Sequence, residues 1–210
     1  MQSAKVLELL NKGRIDELKA ALEDEIYTES LKGKPDAKRR YTTMKKYFTY
    51  VNSAREVCQK PCKINFEGKD YISFCNSYSL ALTTEDCGEM QLFNTEAGNY
   101  PDVTRLINFY DDEEKIDFSK VIAKAKAKGY KLKKSEVNGN NYLMFYEGNY
   151  FRIGLLDSTF AIIDDGEEAT VYHDKNNIRP ITIKTSIGIC VVMPMRYESE
   201  PDDGVIIIEA

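Results

Sequence analysis

The chain has 210 residues, of which 42% are hydrophobic and 30% charged, and its formal net charge is −5. This composition fits a globular protein with a substantial core and argues against a generic nucleic-acid coat. No apolar run approaches the length of a bilayer span, and residues 1–25 form a charged amphipathic pattern rather than a signal peptide, so a cytoplasmic protein is expected.

In chain order, Val6, Leu9, Leu10, Ile15, Leu18, Ala21, Leu22 and Ile26 recur at helical spacing, with a break at Asn11–Gly13 that predicts two helices. The stretch KGKPDAKRR (32–40) combines Gly, Pro and clustered charge and reads as a solvated linker. Residues 42–58 suit another helix, on Met44, Phe48, Val51 and Val57. Beyond Pro61 the pattern changes to alternation around Gly68 over CKINFEGKDYISFCNSYSLALTT, which predicts a hairpin. MQLFNTEAG (90–98) reads as a short strand, and NYPDVTRLINF (99–109) as a loop into a helical or extended turn.

DDEEKID (111–117) reads as a charged turn before a helix from Asp117 or Phe118 to Lys128, closed by Gly129. Strands are expected at Lys131–Val137, Asn141–Tyr146, Ala169–His173, Arg179–Thr185 and Gly188–Met193. YFRIGLLDSTFAIIDDGEE (150–168) suits a short helix, although TFAII within it equally suits a strand. The fold class that follows is α+β, with antiparallel sheets backed by helices.

Familiar reaction chemistry is scarce. There is no phosphate-binding glycine loop, no G-x-S-x-G and no H-E-x-x-H. The single histidine, His173, leaves little scope for Ser-His-Asp or Cys-His catalysis and reads as a surface or turn residue. Cys58 and Cys62 are spaced C-x3-C with no second pair, so the five cysteines read as reduced, mostly buried thiols; no metal or cofactor is expected. One ordered set does suggest catalysis: Asp102, Glu113 and Lys115 follow the order of PD-(D/E)xK nucleases, where two acids hold a divalent ion and a lysine orients water.

Three further segments carry a resemblance. CVVMPMRY (190–197), GKDYISFCNSYSLALT (68–83) and GNYPDVTRLI (98–107) resemble, in family order, segments of the bacterial sliding clamp, the DNA polymerase III beta subunit. The likeness covers roughly residues 44–196. It implies a sliding-clamp (DNA clamp) fold with two clamp-like units, 41–112 (partial) and 113–210 (with a C-terminal tail), after an N-terminal helical extension and linker, 1–40. It also implies a processivity-factor role in DNA replication or repair. Short linear motifs of replication or repair proteins would dock in an apolar cleft. That cleft would be lined by Tyr78, Leu80, Pro101, Arg105, Leu106, Val191, Val192, Met193, Pro194, Met195 and Arg196.

Clamps also line their hole with basic helices. In DFSKVIAKAKAKGYKLKK (117–134), Val121, Ile122 and Ala125 would face a sheet while Lys120, Lys124 and Lys128 share a neighbouring stripe. With Lys126 and Lys131 they would face duplex DNA in a homo-oligomeric ring. This sequence departs from the family at the ATDG positions, occupied by Phe74, Cys75, Asn76 and Ser77, and at an arginine position occupied by Ser79. The other readings are the nuclease and a clamp-derived interaction module with no DNA role. The acidic turn and GVIII segment after Tyr197 either extend a sheet edge or lie across the cleft.

Overall fold

The computed structural model describes residues 3–50, 58–88, 90, 92–93, 99–174, 178–195 and 204–210. Three helices come first: α1 (Ser3–Asn11), α2 (Ile15–Ser30) and α3 (Pro35–Tyr50). The expected break between the first two is present, with Gly13 at φ 66. Leu9 and Leu18 are buried, whereas Leu10, Ile15, Leu22 and Ile26 stay exposed, so only part of the apolar periodicity marks a buried face.

The basic stretch 32–40 is not a linker, because α3 begins at Pro35. Proline suits a first helical turn, where its missing N–H has no partner to lose. Arg39 pairs with Asp164 (2.8 Å) and Arg40 with Glu85 (2.9 Å), so this charge anchors the helix to the body. The helix runs through the expected boundary at residue 40 and buries Tyr41, Met44 and Tyr47.

Strands β1 (Cys62–Phe66) and β2 (Lys69–Cys75) form the expected hairpin around Gly68, and β3 (Ser79–Thr83) extends it to a meander. Of the expected strand at 90–98, the described residues Met90, Leu92 and Phe93 belong to no strand; the others, like 51–57 of the predicted third helix, lie outside the described residues. A 3-10 turn spans Val103–Leu106. Then comes β4 (Asp112–Ile116), where the sequence suggests a turn. Four of its five residues are exposed because it is an edge strand, and charge on an edge discourages further pairing.

Helix α4 (Phe118–Ala127) has the expected caps: Asp117 accepts from Lys120 N (3.0 Å), and Gly129 takes φ 97. The expected strand at 131–137 is instead a short helix, α5 (Lys134–Asn138). Next come β5 (Tyr142–Tyr146), β6 (Asn149–Arg152) and α6 (Ile153–Ile163), which absorbs TFAII as helix. Helix α6 is apolar on nearly every side, and such a helix must lie inside the protein. The remaining strands are β7 (Ala169–His173), β8 (Ile181–Lys184), β9 (Gly188–Val192) and β10 (Ile206–Glu209).

The order β1-β2-β3-β9-β8-β7-β4 makes one seven-stranded sheet, antiparallel throughout. Strands from both expected units share it, joined where β3 pairs with β9. A second sheet, β10-β5-β6, has β10 parallel to β5. The larger core gathers α3, α4 and α6, one face of the large sheet and residues of the small one. The smaller core lies on the outer face of the large sheet, formed by Leu80, Leu82, Ile189 and Val191 with Val103 and Ile107. The architecture is mixed α+β with an antiparallel sheet and helices, and no helix among the described residues is long and apolar enough to cross a membrane.

Candidate peptide-binding site

The outer face of the large sheet is where the three singled-out segments meet. In the first, Asn76 ends β2 and builds the turn into β3. Its Oδ1 accepts from the backbone N–H groups of Tyr78 (2.6 Å) and Ser79 (2.9 Å), and its Nδ2 donates to Tyr47 Oη (2.9 Å) and Ser79 Oγ (2.8 Å). Thr159 on α6 completes the buried network by donating to Ser79 Oγ (2.9 Å). A satisfied buried amide with this many partners fixes the turn rigidly. The turn leaves Tyr78 49% exposed, with the Arg152 guanidinium 5.3 Å from its ring centroid.

The second segment crosses the outer face of the sheet. Val103 and Ile107 pack onto Leu80 and Val191, Asn108 N donates to Thr182 Oγ1 on β8 (3.3 Å), and Phe109 meets Tyr172 on β7 edge to face. Leu106, one residue before a buried anchor, stays 41% exposed. Between this segment and the Asn76 turn lies a cavity of about 270 Å³, lined by Cys58, Cys75, Asn76, Ser77, Pro101, Asp102, Val103 and Leu106. On the other side of Pro101–Val103 a second cavity, about 400 Å³, opens against Cys62–Asn65 of β1. Burial holds the Cys75 thiol protonated, well above its ordinary pKa, and Tyr100 Oη donates to its sulfur (3.1 Å).

The third segment contributes unequally. Val191 is buried in the outer-face cluster and does not line the cavity, and Val192 points to the opposite face and joins the main core. Adjacent strand residues alternate faces, so the two valines cannot share one cleft. Met193 N donates to Tyr78 O (2.9 Å) and Met195 N to Tyr150 O (2.7 Å), which carries half-buried Met193, Pro194 and Met195 along the Tyr78 side of the turn. Leu80 is fully buried in the same cluster and does not line the cavity; Pro101 and Leu106 do. Arg105 extends into solvent while its Nε holds Asp102 (2.8 Å), and Arg196 lies outside the described residues. The lining residues that sequence reasoning missed are Cys58, Cys75, Asn76, Ser77, Asp102 (expected only as a nuclease acid) and Val103. Of these, Val103 was accessible from its helical spacing to Leu106 and Ile107.

The lysines of α4 are less free than their spacing suggests. Lys120 pairs with Asp117 (3.0 Å), Lys124 donates to Glu209 O (3.2 Å) and Lys128 to Ile207 O (3.1 Å), so two of the three stripe lysines grip β10. Lys126 and Lys131 are exposed.

The nuclease-like residues do not converge. Asp102 lines the cavities beside β1 and the β2–β3 turn, where hydrogen bonds from Thr104 and Arg105 keep its carboxyl below the usual range. Glu113 and Lys115 sit on the edge strand β4, with Lys115 Nζ donating to Thr170 Oγ1 (2.6 Å). From β3 to β4 is four strand steps, roughly 19 Å. His173, expected at the surface, is buried at the end of β7. All five cysteines are free and buried.

No protein-family model matches this chain, and a search of the curated proteins finds no match.

Proposed function

We propose that the protein is a reduced, non-enzymatic sliding-clamp-like factor that docks short linear motifs of replication or repair proteins on the outer face of its large sheet. The observation that carries the reading is the meeting of three chain-distant segments around the Asn76 turn. Leu80, Val103 and Val191 share one buried apolar cluster on that face, and Val103 joins Pro101 and Leu106 in lining the cavity beside it. A cavity of about 270 Å³ takes one large apolar side chain or two small ones, which suits the Leu and Phe anchors of an extended peptide. Exposed Tyr78 with the Met193–Met195 rim offers an adaptable apolar shoulder for a further anchor. In the same reading the chain assembles as a homo-oligomer and contacts duplex DNA without sequence preference through α4, with Lys126 and Lys131 free to meet phosphates.

A fluorescently labelled Leu/Phe-rich replication-protein peptide, followed by anisotropy, tests the site. Leu106→Ala should weaken binding at least about tenfold, the loss typical of a central apolar anchor. Met193→Ala should weaken it less, while Lys115→Ala, on the far edge strand, should leave it unchanged. Equal affinity for wild type and Leu106→Ala would remove the cavity from the function.

A further inference from the structure

His173 is a buried group that the peptide site does not use. It closes β7 on the core-facing side of the sheet, is 5% exposed, and its Nδ1 is buried without a hydrogen-bond partner. Leaving such a nitrogen unsatisfied costs on the order of 1–3 kcal/mol, so the position calls for an explanation. Two carboxylates stand beside the imidazole. Glu114 comes from β4, the strand paired with β7, and Glu147 comes from the turn between β5 and β6. One carboxylate oxygen from each and one ring nitrogen of His173 all lie within 4.8 Å of one another. Tyr146 supports the group twice: its hydroxyl donates to Glu114 Oε2 (3.0 Å), and its ring meets the imidazole edge to face at 5.1 Å.

We infer that Glu114, Glu147 and His173 form a binding site for a divalent transition-metal ion of the zinc or manganese class, a site independent of the peptide cleft. Donors bound to one such ion at about 2.0–2.2 Å stand roughly 3–4.4 Å apart, so from a spacing of at most 4.8 Å the cluster needs to close by less than about 2 Å. Glu147, exposed at a hairpin tip, is free to supply that movement. Two carboxylates and a neutral imidazole balance a divalent charge. The nitrogen donor favours zinc over magnesium and calcium, which prefer all-oxygen shells, and the two carboxylates also admit manganese. Tyr146 holds the Glu114 carboxylate as an outer partner holds a ligand in an established metal site. The three donors come from three strands or turns far apart in the chain, which is why no ligand spacing reveals them in the sequence.

The test exploits His173 being the only histidine of the chain, so its ring nitrogens give the only imidazole signals in a long-range nitrogen–proton NMR spectrum. Titration with Zn²⁺ should move one ring nitrogen to a metal-bound shift at one equivalent, and equilibrium dialysis should find one ion per chain. Glu147→Asn and Glu114→Gln should each weaken binding at least tenfold. Asparagine tolerates the positive φ of 46 at position 147, so that variant keeps its turn, and its unchanged melting temperature without metal will confirm this. An unmoved imidazole signal, a wild type without a stoichiometric ion, or a carboxylate variant that binds as tightly as wild type overturns the site.

Discussion

Asp157 shows how one residue can oppose the element that carries it. It lies inside α6, buried to 6% exposure, and receives a hydrogen bond from Tyr130 Oη (3.1 Å). Burial is the largest influence and raises its carboxyl above 3.8; Lys126, Tyr130 and Arg39 pull it down, and Asp164 adds to the rise. A raised carboxyl contributes stability that is fully present below the unfolded pKa and is lost as pH rises through the folded one. Above the unfolded pKa the buried carboxyl therefore costs stability that an amide does not, while asparagine still accepts from Tyr130. We expect Asp157→Asn to melt at a higher temperature than wild type at pH 7, with the gap narrowing as pH falls toward 3.8. A gap that stays constant across that range would show that charge is not its cause.

Among the elements, α5 and α6 approach each other closely at a glycine. A Cβ on Gly154 would stand 2.4 Å from Glu136 O and 2.5 Å from Val137 Cα, both backbone atoms that cannot rotate away. Gly154→Ala should force α5 off α6 and cost about 3 kcal/mol, seen in a denaturant titration or as a fall of roughly 6–12 °C in melting temperature. Legibility in the sequence follows the same local physics. Helix α4 declares itself through apolar spacing and both caps, and β2, β3 and β9 through apolar runs between turns. By contrast, α5 has five residues, too few for a period to show, and it is held by the notch at Gly154 rather than by propensity. Strand β4 reads as a turn because an edge strand on a charged rim hides the alternation of a half-buried one. Of the residues expected in the cleft, Pro101 and Leu106 line the cavity, whereas Tyr78 stands exposed at the turn and Val191 is buried behind it. The split between Val191 and Val192 follows from strand alternation, but the roles of Cys58 and Cys75 depend on how segments far apart in sequence pack together.

On the scale of the whole molecule, the open question of the sequence was whether the segment after β9 covers the proposed cleft. The described part of it, residues 204–210, does not: β10 adds in parallel to the outer edge of β5, buries Ile208 and is gripped by Lys124 and Lys128 of α4. The cleft lies on the opposite side of the large sheet from the core into which Ile208 packs. Deleting residues 204–210 should therefore cost roughly 2–3 kcal/mol for the isoleucine taken out of the core. Peptide affinity should stay within about twofold of wild type. The deletion also frees two lysine ammoniums, so if α4 faces DNA, the log–log slope of DNA affinity against salt should steepen by up to about 1.8, two phosphate contacts at about 0.9 each. A tenfold rise in peptide affinity on deletion would put the tail in the cleft as an internal ligand. An unchanged salt slope would remove Lys124 and Lys128 from the proposed DNA surface.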